Sequence, residues 1–250
     1  MELGAPQIVA FGGGGFSMEA GNPLLDDHVL SLGSARAGWA RSEERPRVCF
    51  VPTASGDADH YIVRFYRAFS SAVCEPSHVS LFRRDRGAGI DCDVASHLLE
   101  QDVIYVGGGS VISLLGVWRA HGLDDALAEA WRRGIILCGL SAGSLCWFSE
   151  AISAFHGTPS RVEGLGLLPY SNCVHLNDEE RRTAFRRTIA DGELGAGYGA
   201  EDGAALHFVG TTLTDVVASR QGARAFRVDR HGETPLAARF LGTSPVALVA

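Results

Sequence analysis

The segment Gly134–Glu150, GIILCGLSAGSLCWFSE, carries the reading that decides the fold. Four apolar residues, Ile135 to Cys138, run into Gly139-Leu140-Ser141-Ala142-Gly143. A continuous apolar run suits a strand buried on both faces, as in a parallel sheet covered by helices. The residues that follow it read as a helix. A plain strand-to-helix turn needs at most one glycine, and here two flank a single serine. Flanking glycines clear a crowded bend and leave the hydroxyl presented, the arrangement of a nucleophile elbow. The start of the helix also points the Ala142 N–H to where charge develops on a substrate oxygen. Alone, G-x-S-x-G is equally the mark of a tight turn with an ordinary serine.

Working outward, the same alternation repeats. QIVAFGGGG (7–15) is a short apolar strand entering a glycine loop, and RVCFVPTAS (47–55) is a second strand, stopped by Pro52. A helix is expected over 57–72, a third strand over 77–84 and a short helix over 93–101. DVIYVGGGS (102–110) is a fourth strand that again ends in glycines, and 111–134 is helical with apolar residues at three- and four-residue spacing. Segment 203–229 reads as a meander of short antiparallel strands. The expected fold is α/β: one domain over 1–250, with a mostly parallel sheet, helices on both faces and a C-terminal antiparallel β extension. No repeat, low-complexity tract or linker divides it.

Composition narrows the partners. The formal net charge of −7 argues against nucleic acid or an anionic membrane surface. No stretch reaches the roughly 18 apolar residues of a spanning helix, and the N-terminus lacks the pattern of a secretory signal. A cytoplasmic protein is expected. The six cysteines show no C-x-x-C pairing and read as reduced core thiols. Neither Cys146 nor Cys173 has a thiolate-stabilising cation nearby in sequence, and no H-E-x-x-H or paired Cys/His spacing suggests a metal. The apolar tail PVALVA (245–250) leaves open a covered sheet edge or a homodimer contact.

A serine nucleophile needs a base, and the base needs an acceptor to orient it. The loop VGGGS (106–110) offers a second amide for an oxyanion hole; it lacks the lysine of a P-loop and does not fit G-x-G-x-x-G. GGGGF (12–16) reads as loop shaping near the site. Among nine histidines, His97 and His121 fall in helical patterns and His78 and His207 in strand runs. His175 stands in the loop-like GLGLLPYSNCVH (164–175).

Four motifs in order, DVIYVGGGS, GLSAGS (139–144), GLGLLPYSNCVH and GYGAEDGAALHF (197–208), together resemble peptidase E and its relatives, including cyanophycinase: serine peptidases of the S51 type. The resemblance implies a sheet architecture like that of class I glutamine amidotransferases, with serine in place of their cysteine. It implies Ser141 as nucleophile, His175 as base, Gly109 and Ala142 as oxyanion donors, and Asp202 as third member, where the family's usual residue is glutamate. Glu201 is the alternative acid. Short peptides are the implied substrates, and no cofactor is needed.

Two departures bear on specificity. The family's GGGN is GGGS here, which makes Ser110 a candidate substrate contact. The aspartyl-dipeptidase branch has a longer segment after its histidine, ending GETRExR, whose first arginine is associated with the substrate's aspartate. Here the stretch is LNDEERR (176–182), with Glu179 near that position. Arg181 and Arg182 are the candidate carboxylate ligands, set against an ordinary solvated helix start. Two other classes stay open: an esterase or amidase in the α/β-hydrolase order, which would need His207 or His231 as base after an acid such as Asp178, Asp191 or Asp202, and a binding protein that keeps the fold.

Overall fold

The structure is a computed structural model that describes residues 4–41, 45–83, 87 and 93–242. In chain order the elements are β1 (Gln7–Phe11), α1 (Gly15–Met18), α2 (Leu24–Arg41), β2 (Arg47–Val51), a 3-10 turn (Thr53–Ser55), α3 (Asp59–Ala68), β3 (Glu75–His78) and α4 (Val94–Leu99). Then follow β4 (Val103–Val106), α5 (Val111–His121), α6 (Leu123–Arg132), β5 (Ile136–Leu140), α7 (Ala142–Leu145), β6 (Phe148–Ser153), β7 (Ser160–Glu163) and β8 (Leu168–Val174). The chain continues through α8 (Glu179–Ala190), β9 (Gly197–Ala200), β10 (Ala204–Val209), β11 (Thr212–Ala218), β12 (Ala225–Asp229), β13 (Gly232–Leu236) and β14 (Arg239–Phe240).

Two sheets form. The first has eight strands in the order β14-β11-β10-β1-β5-β4-β2-β3. Its stretch from β1 to β3 is parallel throughout, while β10 pairs antiparallel with both β1 and β11. The second sheet has six strands, β13-β12-β9-β8-β6-β7. This differs from the expected single sheet with a terminal extension. Of the 203–229 meander, β10 and β11 join the first sheet and β12 crosses to the second. The segment after Ser141 also differs from its reading: α7 is one turn long, and Phe148–Ser153 is strand β6 instead of more helix. The loop-like stretch before His175 is likewise strand β8, parallel to both β6 and β9.

The central strands are fully buried because both faces of the first sheet are covered. Alternate residues of β1 serve different cores: Val9 and Phe11 pack with Phe16, Leu25, Phe50, Phe65 and Tyr105 under α1 to α3. Ile8 and Ala10 instead join a cluster that includes Leu114, Trp118, Leu127, Phe148, Val174 and Ala225, and so runs continuously from the first sheet into the second. Burying each such aliphatic side chain stabilises by about 1.5–3 kcal/mol. A third cluster, with Cys173, Phe185, Ile189 and Phe226, seats α8 on the second sheet.

Helix boundaries follow local chemistry. Ser110 caps α5, its Oγ accepting from the Ser113 N–H at 3.2 Å, and the helix stops at Gly122 in the left-handed region, φ 67°. Asp178 caps α8 through the Glu180 and Arg181 amides. β3 ends at His78, short of the strand expected to 84. Asp57 explains the bend, since its Oδ2 accepts from the Ser80 hydroxyl and the Leu81 and Phe82 amides and draws the chain out of the sheet.

Five cysteines, 49, 74, 138, 146 and 173, are free and buried. Burial pushes the Cys173 thiol up to about 12 and that of Cys146 also upward, so neither is a thiolate. Cys92 and the tail 245–250 lie outside the described residues. Among the described residues no helix is long and apolar enough to cross a membrane.

Candidate active site

The carboxyl ends of β1, β4 and β5 meet the end of β8, and the candidate residues lie on the loops that leave them. Ser141 follows β5 directly and has φ 53° and ψ −116°. A non-glycine residue at such angles stores strain that its surroundings must hold. The two glycines of the elbow are explained by β4. A side chain on Gly143 would put a Cβ 2.2 Å from the Val106 carbonyl oxygen, and one on Gly139 would meet the same oxygen at 2.6 Å. The glycines therefore let the elbow backbone lie directly on β4. That answers the question posed by GLSAG: the second glycine is there because the bend is pressed against a neighbouring strand with the serine at its apex.

The glycine loop after β4 runs beside the elbow, since a Cβ on Gly108 would stand 3.3 Å from that of Ser141. Its amides are mostly taken. Gly107 donates to Val51 O, Gly108 to the Tyr61 hydroxyl, and Ser110 to Ala54 O. Among the described residues the Gly109 N–H has no acceptor. The Ala142 N–H opens a helix and has no partner within it, as first-turn amides never do.

His175 follows β8 directly, also at a positive φ of 53°. Its Nδ1 is 2.5 Å from Asp202 Oδ1, and the side chains are 18% and 19% exposed. The first glycine loop holds this pair from behind. Gly12 O accepts from the His175 N–H at 2.9 Å, and Gly13 O accepts from the Gly203 N–H at 3.0 Å. A Cβ on Gly13 would fall 2.0 Å from Asp202 Oδ1 and 2.9 Å from His175 Nδ1. Asn177 adds a clamp: its Oδ1 accepts from the Asp202 N–H at 3.0 Å, and its Nδ2 donates to Asp202 Oδ2 at 3.3 Å. Burial alone would raise the Asp202 carboxyl. The His175 hydrogen bond and charge, the Asn177 amide and the Arg220 guanidinium outweigh it and hold the group below the usual carboxylate range.

The other candidates are placed differently. Glu201 is buried and forms a two-pronged pair with Arg224, 2.7 Å at its closest, so Asp202 and not Glu201 is the acid on His175. Arg182 was a candidate carboxylate ligand, but it grips Glu233 through Nε and Nη2 at 2.6–3.1 Å and stacks over Phe226. Arg181 sits with its Nε 3.6 Å from Asp178, the cap of its own helix. The Arg182 guanidinium is thereby committed to Glu233, and its helix α8 is seated on the second sheet by Phe185 and Ile189. Ser110 is buried beside Gly109 and bonds His156 Nε2 at 2.9 Å. His207 is buried on β10 against Gln7, and His231 sits in the β12–β13 turn beside Asp229 and Arg230, so neither serves the elbow. Sequence reasoning missed Asn177 and His156. Asn177 stands two residues past His175, but an amide carries no titration signature to single it out. Among the described residues no cluster of three or more His, Cys, Asp or Glu side chains is gathered as for a metal ion.

The elbow serine and the histidine–carboxylate pair both stand on loops at the strand ends, and among the described residues no hydrogen bond joins Ser141 to His175. Residues 8–216 match the model of peptidase family S51, and the chain belongs to that family. It is 44% identical over 241 residues to the uncharacterized peptidase YgaJ of Bacillus subtilis (strain 168), covering 94% of this chain and 99% of that one. It is 28% identical over 197 residues to peptidase E of Streptomyces coelicolor, covering 72% and 74%. The crystal structure of a peptidase from an acI-B1 Actinobacterium superposes with a TM-score of 0.72 over 94% of this chain and 95% of that one, and at 19% identity it speaks for the fold.

Proposed function

We propose that the protein is a serine peptidase that hydrolyses short peptides through Ser141, His175 and Asp202. The observation that carries this reading is the His175–Asp202 pair at 2.5 Å, at the strand ends where the strained Ser141 stands. Asp202 binds Nδ1, which fixes the tautomer and leaves Nε2 as the base. Ser141 Oγ attacks the scissile carbonyl carbon as Nε2 takes its proton. The carbonyl oxygen becomes an oxyanion received by the Gly109 and Ala142 amides, each such donor supplying about 3 kcal/mol. Collapse breaks the C–N bond, and the imidazolium returns its proton to the departing amine. Water, deprotonated by the same imidazole, then releases the acid from the acyl-enzyme. Nothing in this sequence of steps asks for a metal or cofactor.

The lowered carboxyl of Asp202 supports the assignment, because an acceptor that stays ionised stabilises the imidazolium formed during attack. An aspartyl preference has less support, since Arg182 is committed to Glu233. We place the protein in the cytoplasm on the sequence reading alone. The test is turnover of a dipeptide and tripeptide library by wild type and Ser141→Ala. The expected result is hydrolysis by the first and none by the second, with unchanged melting temperature. Retained hydrolysis in the variant contradicts the assignment, and p-nitrophenyl ester turnover without peptide turnover would favour an esterase.

A further inference from the structure

The turn joining β6 to β7, residues 154–159, carries Phe155 and His156. It lies at the far end of β6 from the elbow helix in sequence, and the parallel pairing of Ile152 with Cys173 brings it to the same end of the second sheet as His175. His156 Nε2 lies 2.9 Å from Ser110 Oγ, and Ser110 is the residue after Gly109. Ser110 Oγ already accepts the Ser113 N–H, so its own hydroxyl is left to donate to Nε2. The matching tautomer carries its proton on Nδ1, and among the described residues that donor has no acceptor. A solvent-facing turn is thereby fastened to the residue adjoining a candidate oxyanion amide.

Apolar surface gathers at the same place. Phe155 is 56% exposed and its ring meets that of His156 edge to face at 5.0 Å. Ile112, two residues after Ser110, is 54% exposed. Phe155 and Ile112 stand on the two segments that the Ser110–His156 bond joins, the β6–β7 turn and the first turn of α5, and Ile112 also lines a cleft with Arg119, Arg161 and Glu163. Pockets that bind small ligands are built from apolar surface with few placed polar groups.

We infer that Phe155, Ile112 and His156 form the specificity wall for the residue whose carbonyl enters the Gly109–Ala142 hole, and that this residue is bulky and apolar. Phe155 and Ile112 receive its side chain, and His156 donates its Nδ1–H to an oxygen of the peptide. The inference rests on the proposed serine peptidase reading, and it names a substrate class that the arginine positions do not: hydrophobic in place of acidic.

The test uses covalent probes, so it needs no known substrate. Two aminoalkyl phosphonate diphenyl esters, one with a phenylalanine side chain and one with alanine, react with the full-length protein, and adduct formation on Ser141 is timed by mass spectrometry. In wild type the phenylalanine probe is expected to react at least about tenfold faster, the scale on which a hydrophobic subsite discriminates. Phe155→Ala and His156→Ala should each lower that ratio, and Val73→Ala should leave it alone. Val73 is an apolar residue, 46% exposed, just before β3 and hence at the other end of the parallel strands. A ratio near one in wild type, or a ratio that neither variant moves, overturns the inference while leaving Ser141 as the nucleophile. No adduct on Ser141 with either probe overturns the peptidase reading and this inference with it.

Discussion

His175 and His207 both lie against the short strand β1, the first just past its carboxyl end and the second on β10 opposite Val9, and they differ in everything but the ring. The backbone of His175 hangs from Gly12 just past the end of β1, and its side chain is partly exposed against a carboxylate. The ring of His207 faces Gln7 at the start of β1, 2.9 Å from a neutral amide oxygen, with the ring of His28 5.7 Å away. Burial, then the neighbouring His28, pushes His207 down to about 4. The comparison teaches that position on the sheet decides the use of an imidazole. Where the strands end, a glycine loop admits a carboxylate and leaves an edge open. Between strands the ring is a packing element, and charging it costs stability.

The difference can be broken in three ways. The largest effect is expected at the exposed end: Asp202→Asn should lower kcat by about four orders of magnitude, through loss of the correct tautomer, with little change in melting temperature. Steady-state kinetics on a cleaved peptide checks this, and a drop under tenfold would deny Asp202 its role.

At the other end the prediction concerns stability. The unfolded chain takes up a proton on His207 near 6.5, whereas the folded chain resists until about 4. Falling pH therefore favours unfolding across that window, and the loss amounts to about 3 kcal/mol by pH 4. His207→Gln keeps a donor for Gln7 and removes the titration, so denaturation followed from pH 7.5 to 4 should show a flatter profile. Some slope should persist from His28, which burial also pushes down. Identical profiles would show that His207 is protonated without penalty.

The smallest effect tests how the two ends are separated. Gly13→Ala would set a methyl against Asp202 and His175, displacing the pair by a fraction of an ångström to an ångström. Misplacement on that scale costs about a hundredfold in kcat. The variant should keep its fold by circular dichroism, because the strain falls on two partly exposed side chains.

How much of this could be read from the residues alone follows from what each element shows locally. The strands β1, β2, β4 and β5 are continuous apolar runs ending in glycine or proline, and their burial on both faces makes that signal strong. The second sheet has no such signal. β6 alternates only weakly, with Ser149 and Glu150 part-exposed, and it follows a helix of one turn, so helix and strand patterns blur across Cys146–Ser153. β8 contains Pro169, which sits near its start and disguises the run as a loop. The G-x-S-x-G elbow and the motif order named the family. Glu201 and Asp202 are adjacent acids, and only the partner on the far side, Arg224 for one and His175 for the other, tells them apart. Arg182 shows the reverse: a guanidinium near the right place in sequence was claimed by a tertiary partner, Glu233, 51 residues away.

The central claim is that two side chains distant in the chain, His175 and Asp202, act on the Ser141 hydroxyl, and the most direct measurement is to map where a fluorophosphonate reacts. A single adduct on Ser141 in wild type, lost or slowed at least about a hundredfold in His175→Ala with the fold intact, is the predicted result. An adduct on another residue, or equal labelling of Ser141 without the imidazole, would contradict it.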